Sequence, residues 1–298
     1  MHLHLDGDVV KYRCGFAAEK MHYHVTVYGL DGLNGEETYH FQYKKDLNAF
    51  MEAHDGYVHG DNCIVTSERI AEPVENALHN VKHTVQELVR NLGASENQMT
   101  VYLSGESNFR NELGSLIYRD HEPKGYKANR DELHKPTHGP AIVDYIIRKY
   151  NVEVTEFEEA DDAMGISHYA MWLKDPDSTC IVTVDKDLDM IPGWHYNFVK
   201  EDQYYIKPEN AEYIFWRQLL TGDRTDNIPG LKGVGVKTAD KMLSPLATSH
   251  SDPRGYYLLA LENYNEQYGE DEGEQALLEN ARMIWIRRER NEFWNPPS

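Results

Sequence analysis

The sequence predicts an α/β protein: a mostly parallel sheet with helices on both faces, followed by a smaller helical part. Three observations carry this. Short apolar runs alternate with helix-period segments up to about residue 200, the pattern of a parallel sheet built from crossover units. Acidic residues recur just after those runs, where an open α/β sheet gathers its functional groups. From Pro208 onward the pattern is helical, interrupted by one turn rich in glycine. The expected division is therefore 1–205 for the α/β part and 206–298 for the helical part.

Residues 3–8, LHLDGD, read as a short buried strand ending in Asp6 and Asp8, with Gly7 to turn the chain. Two alternating runs follow, Tyr23, Val25, Val27 and Tyr39, Phe41, Tyr43, around LDGLNGEE. They predict a β-hairpin insertion near 22–45. His2, His4, His22 and His24 lie on these strands without further metal-ligand spacing, so they read as structural or surface histidines. Residues 73–92 give the clearest helix, opened by Pro73 and closed by Gly93. His79 and His83, one turn apart on it, read as surface residues.

A strand over 99–103 leads to SGESNFRNEL and then to YRDHEPKGYKANRDELHKP. In the latter, Lys127 and Arg130 suit a phosphate diester and Tyr126 a stacked base. A solvated charged loop is the plain alternative. A helix over 139–150 and a strand over 152–157 end in EEADDAMG. Glu159, Asp161 and Asp162 crowd a strand-to-helix junction, and such acids repel one another unless a cation holds them. They also suit the first turn of a helix. The next strand, 179–184, runs into VDKDLDMIPG. Asp185, Asp187 and Asp189 start like an EF-hand loop, but Met190 and Tyr196 stand where glycine and glutamate are required.

A helix from Pro208 leads into TGDRTDNIPGLKGVGVKTADKML, residues 221–243. It pairs Asp223 and Asp226 with a turn carrying Gly230, Gly233 and Gly235, then a helix from Val236. Glycines bring backbone amides close to a ligand, and amides at a helix start beside Lys232 and Lys237 suit a phosphate. Two further helices are expected near 253–267 and 271–289.

The 298 residues carry 50 acids against 30 basic residues, a net charge of −20. Taken alone, that opposes a nucleic-acid partner. Two windows run the other way: 119–149 has seven Lys or Arg against five acids, and 217–241 has five against three. No apolar run approaches the roughly 20 residues of a membrane helix. The N-terminus lacks the pattern of a signal peptide. Cys14, Cys63 and Cys180 have no CxxC spacing, which fits a reducing compartment. The expectation is a cytoplasmic monomer with no membrane partner.

The spacing GDxxDNIPGxxGxGxKTA resembles the helix–three-turn–helix element of 5′ nucleases: phage 5′–3′ exonucleases, flap endonucleases and the 5′ nuclease domain of bacterial DNA polymerases. YKANR (126–130) resembles the basic stretch at the start of that family's helical arch. ExDD (159–162), DxD (185–187) and the DG at Asp6 match its acidic motifs, and Phe109, Arg110 and Leu113 match its FRxxL. The resemblance covers nearly the whole chain outside 20–70. One departure is that the family's acid after the 99–103 strand is replaced by Gly105, with Glu106 beside it.

The resemblance implies a PIN-like 5′ nuclease core and cleavage of DNA from 5′ ends, in a phage-encoded protein. It implies two Mg²⁺ or Mn²⁺ ions about 4 Å apart at Asp6, Glu159, Asp161, Asp162, Asp185, Asp187, Asp223 and Asp226. Glu159, Asp161 and Asp185 would form the tighter site, and Asp187, Asp223 and Asp226 the second. Lys127 and Arg130 would stabilise the charged phosphate. Tyr126, Arg110, Lys232, Gly233, Gly235, Lys237 and Thr238 would contact DNA, with K⁺ a further candidate at the glycine-rich turn. The rival reading, motivated by Gly105, is a catalytically weakened DNA-structure-binding protein on the same scaffold. A Mg²⁺-dependent phosphatase of similar topology is a weaker third.

Overall fold

Strand β1 (His2–Asp6) opens the chain, and helix α1 (Gly7–Ala17) starts at once. A Cβ on Gly7 would sit 2.5 Å from the Tyr102 carbonyl oxygen, so only glycine lets the helix begin this close to a neighbouring strand. The computed structural model describes residues 1–28, 35–54, 62–130, 133–247 and 252–297. It resolves into two compact units: Met1–Val10 with Val85–His134 and Ile146–Ser298, and Lys11–Thr84 with Lys135–Tyr145.

The smaller unit is built on three antiparallel strands, β2 (Glu19–Tyr28), β3 (Glu36–Phe41) and β4 (Cys63–Ala71), in the order β3-β2-β4. The expected hairpin is β2–β3, with Tyr23 opposite Phe41 and Val25 opposite Tyr39. Its turn lies outside the described residues. Helix α2 (Lys44–Ala53) lays Leu47 on Val25 and Val27, so one face of this sheet is apolar and the other open. Strand β4 was not anticipated, because CIVTSERIA is mostly exposed and carries no apolar face of its own.

Helix α3 (Val74–Asn91) is followed in chain order by β5 (Met99–Leu103), α4 (Gly139–Lys149), β6 (Val152–Val154), α5 (Ala160–Trp172), β7 (Thr179–Val182), β8 (Gly193–Asn197) and β9 (Asp202–Ile206), whose strands all belong to the larger unit. Here the six-stranded sheet runs β6-β5-β1-β7-β8-β9. All its pairs are parallel except β8–β9. Its inner strands β1, β5 and β7 are buried nearly throughout, as parallel strands packed by helices must be, while the outer strands β6 and β9 are largely exposed.

The helical part follows: α6 (Pro208–Thr221), a two-residue ribbon β10 (Gly222–Asp223) and β11 (Ile228–Pro229), α7 (Val236–Leu243), α8 (Pro253–Tyr268) and α9 (Gly273–Ile284). Gly222 has φ of +69° and Gly230 faces it, with no room for a Cβ on either. The expected boundary at 205/206 does not mark a separation between units. One continuous core joins Tyr102 and Ile181 of the sheet to Phe215, Leu219, Tyr264 and Leu277 of the helices, so these elements form one unit. Among the described residues no helix is long and apolar enough to cross a membrane.

Candidate active site

The carboxyl ends of the parallel strands deliver acids to one place. Asp6, the last residue of β1, accepts hydrogen bonds from the Val9 amide (2.9 Å) and the Thr183 hydroxyl (2.7 Å). Burial pushes Asp6 up to about 6 despite those bonds, and the charges of Asp8 and Asp185 add to the rise. Asp161, in the first turn of α5, is raised well above the carboxylate range by burial and then by Asp6, Asp185 and Glu159. Asp185 follows β7. It faces solvent, yet partial desolvation raises it, with Asp226 and Asp223 contributing. Asp187 is pushed up to about 8 by burial and by Asp185 and Asp223.

Ribbon β10–β11 brings in the other two. Asp223 accepts from the amides of Thr225 (2.7 Å) and Asp226 (3.3 Å). Oxygens of Asp187, Asp223 and Asp226 all lie within 4.8 Å of one another. Gln218 on α6 donates to both Asp187 (3.0 Å) and Asp223 (3.3 Å). These acids line a cleft of about 560 Å³ together with Val9, Arg130, Arg217 and Val236. Like charges this close are stable only when protons or cations neutralise them. The raised carboxyls mark that tension, and a donor set of hard carboxylate oxygens fits hard divalent cations.

The YKANR segment is clasped onto the same acids. The Tyr126 hydroxyl lies within hydrogen-bond distance of both Glu159 (2.7 Å) and Asp226 (2.8 Å), which share its single proton. Lys127 pairs with Glu159 and lies 3.4 Å from Asp226. Arg130 pairs with Asp226 and donates to the Thr225 carbonyl (2.8 Å). Asn227, at φ of +58°, secures the junction by donating to the Pro123 and Gly125 carbonyls (2.7 and 2.8 Å). Glu159 and Asp226 raise the Lys127 ammonium even though burial opposes it.

Superposed on the T5 D15 protein co-crystallized with metal ions, the chain gives a TM-score of 0.50 at 14% identity, covering 95% of this chain and 88% of that one. The T5 5′-exonuclease with bound divalent zinc gives the same score and coverage at 16% identity. The fold is that of the T5 5′-exonuclease.

In sequence, the chain is 32% identical over 145 residues to DNA polymerase I of Caldicellulosiruptor bescii, matching 42% of this chain and 17% of that protein. It is 28% identical over 160 residues to the 5′–3′ exonuclease of Buchnera aphidicola, matching 47% of this chain and 49% of that protein. The chain thus spans about half of that exonuclease and a sixth of the polymerase. No family model matches it.

Within this 5′-exonuclease fold, two expectations are corrected. Asp162 and Arg110 do not lie open to a metal or to DNA. The two form a buried pair: Arg110 donates to both Asp162 oxygens (2.5 and 3.0 Å) and to the Met283 and Trp285 carbonyls (2.7 and 2.9 Å). The Glu159 and Arg287 amides complete the carboxylate's shell (3.2 and 3.1 Å). Burial would raise Asp162, but Arg110 outweighs it and holds the carboxyl below its usual range. Tyr126 is half-buried against the core, so its hydroxyl, rather than an open ring face, is what reaches the acids.

Gly105 has no space for an acid: a Cβ there would sit 2.0 Å from the Thr155 carbonyl oxygen. Glu106 is exposed. Lys232, Gly233, Gly235, Lys237 and Thr238 are also exposed, in the loop and first turn of α7. Gly233, with φ of +79°, and Gly235 have open space where a side chain would be, which leaves their backbone accessible. Gln218, Thr183 and Asn227 were not foreseen. Only Asn227 had a signal in the sequence, since asparagine tolerates positive φ.

Proposed function

We propose that the protein is a divalent-metal-dependent nuclease that hydrolyses DNA from 5′ ends, in the manner named for its exonuclease relative. The observation that carries this reading is the convergence of seven carboxylates, from four separate segments, beside the tyrosine, lysine and arginine of YKANR. Asp187, Asp223 and Asp226 would hold one cation, and Asp6, Glu159, Asp161 and Asp185 another. Mg²⁺ or Mn²⁺ bound there would supply Lewis-acid activation of water and of the phosphate.

The chain's own groups do the rest. Lys127 and Arg130, paired with Glu159 and Asp226, would exchange those partners for phosphate oxygens as cations neutralise the acids. Tyr126 and Gln218, each bridging two carboxylates, hold the acids in register. The exposed amides at Gly233 and Gly235, with Lys232, Lys237 and Thr238, would grip duplex backbone without reading bases. A frayed 5′ strand would pass the YKANR side. The segment from Gly105 to Pro136 spans about thirty residues, favouring exonuclease action over threading of long flaps.

The test compares one oligonucleotide as blunt duplex, recessed 5′ end, 5′ flap and ligated circle, labelled at each end in turn, with and without Mg²⁺. Mg²⁺-dependent release from 5′ ends, with the circle spared, is the expected result. Digestion from 3′ ends, or equal cutting of the circle, would overturn the polarity. The closed space at Gly105 favours a second reading, a DNA-structure-binding protein. Tight flap binding without cleavage in Mg²⁺ or Mn²⁺ would select it.

A further inference from the structure

The open face of the three-stranded sheet carries a group that the nuclease reading does not use. His24 on β2 stands directly opposite His40 on β3, and Glu68 on β4 lies on the same face, in register with His22. The two imidazoles meet edge to face, with the Nδ1 atoms 2.5 Å apart. His24 Nε2 lies 3.1 Å from Glu68 Oε1.

The chemistry of the pair is constrained. A neutral imidazole has one N–H and one lone pair. If Nε2 of His24 donates to the Glu68 carboxylate, Nδ1 of His24 holds the lone pair, aimed at Nδ1 of His40. Either a proton or a cation must lie between two nitrogens so disposed. A carboxylate behind a histidine fixes the tautomer and raises the basicity of the other nitrogen, the arrangement found behind metal-bound histidines. Two nitrogen donors select borderline transition ions over Mg²⁺ or Ca²⁺.

We infer that His24 Nδ1 and His40 Nδ1 form a site for a borderline divalent transition ion such as Zn²⁺ or Cu²⁺, with Glu68 orienting His24. Tetrahedral coordination at 2.0–2.1 Å from each nitrogen needs the two donors about 3.3 Å apart. That is less than 1 Å of opening between side chains on a solvent face. Water would complete the shell. Thr26 and Thr38, hydrogen-bonded at 3.0 Å, pair in the next position but one along the same face and keep the two strands in register. The ion would cross-link β2 to β3, and its ligands owe nothing to the carboxylate cluster.

The experiment is Cu²⁺ electron paramagnetic resonance on the full chain, first stripped with EDTA and then saturated with Mg²⁺ so that the carboxylates are occupied. The expected spectrum has imidazole nitrogen splittings from one copper per chain. It should be lost in His24→Asn and in His40→Asn, with unchanged circular dichroism. Glu68→Gln should weaken copper binding about 10- to 100-fold. The exposed pair His79 and His83 is a second potential copper ligand, so His79→Gln/His83→Gln is the control and should keep the signal. Oxygen-only coordination in the wild type would overturn the inference, as would a nitrogen signal that survives His40→Asn or disappears in the control.

Discussion

Replacing Arg110 separates a structural role from a DNA-binding one. Arg110→Met removes four donated hydrogen bonds and leaves the buried Asp162 carboxylate with only two amides, from Glu159 and Arg287. Removing one partner of a buried ion pair costs about 3–5 kcal/mol, a hundred- to several-thousand-fold in the folding constant. With a urea m-value of ~3 kcal/mol/M, the midpoint should fall by about 1–1.7 M. The double variant Arg110→Met/Asp162→Leu should recover much of the loss, since an apolar replacement of both partners leaves no buried charge.

The pH sign follows from the depressed Asp162 carboxyl. Its contribution is complete above the unfolded value of about 3.9 and disappears as pH falls through the folded value. The gap between wild type and Arg110→Met should therefore narrow in acid. A wild-type urea midpoint combined with weakened DNA binding would refute the structural assignment and restore Arg110 as a DNA contact.

Asp185→Asn should abolish cleavage measured with labelled duplex while metal-free thermal stability holds or rises, because one charge leaves a crowded acidic site; wild-type turnover would remove Asp185 from the ligand set. Asp187 carries a proton up to about pH 8, so Mn²⁺ affinity by calorimetry should climb from pH 6 to about 8 and then level off, and a flat profile would count against Asp187. In the metal-free protein the same raised carboxyl opposes folding progressively as pH rises from about 4 through 8, so urea midpoints should be lower at pH 9 than at pH 5. Lys237→Ala should weaken duplex binding alike for all sequences and reduce the log–log salt slope by about one unit; an effect confined to particular sequences would contradict a backbone grip.

The alternation of strands and helices, the acids after β1 and β7, and the turn from Asp223 to Gly235 were legible in the sequence. Each is a local signal: period, spacing, or a residue type suited to a turn. Local signals cannot say which of several adjacent acids faces the cleft. Asp161 and Asp162 are neighbours on one helical turn, about 100° apart, so one points to the carboxylate cluster and the other to Arg110. Only packing decides which. Likewise Arg110 matched a motif, but its burial depends on the Met283–Trp285 carbonyls, some 170 residues away. The basic YKANR segment read as a separate phosphate-binding loop. The tertiary structure instead ties it to Asp226 and Glu159, because unlike charges brought together by the fold pair with one another. Strand β4 and the His24–His40–Glu68 group were hidden for a related reason: cross-strand neighbours are set by register, and register follows from which face of each strand is buried.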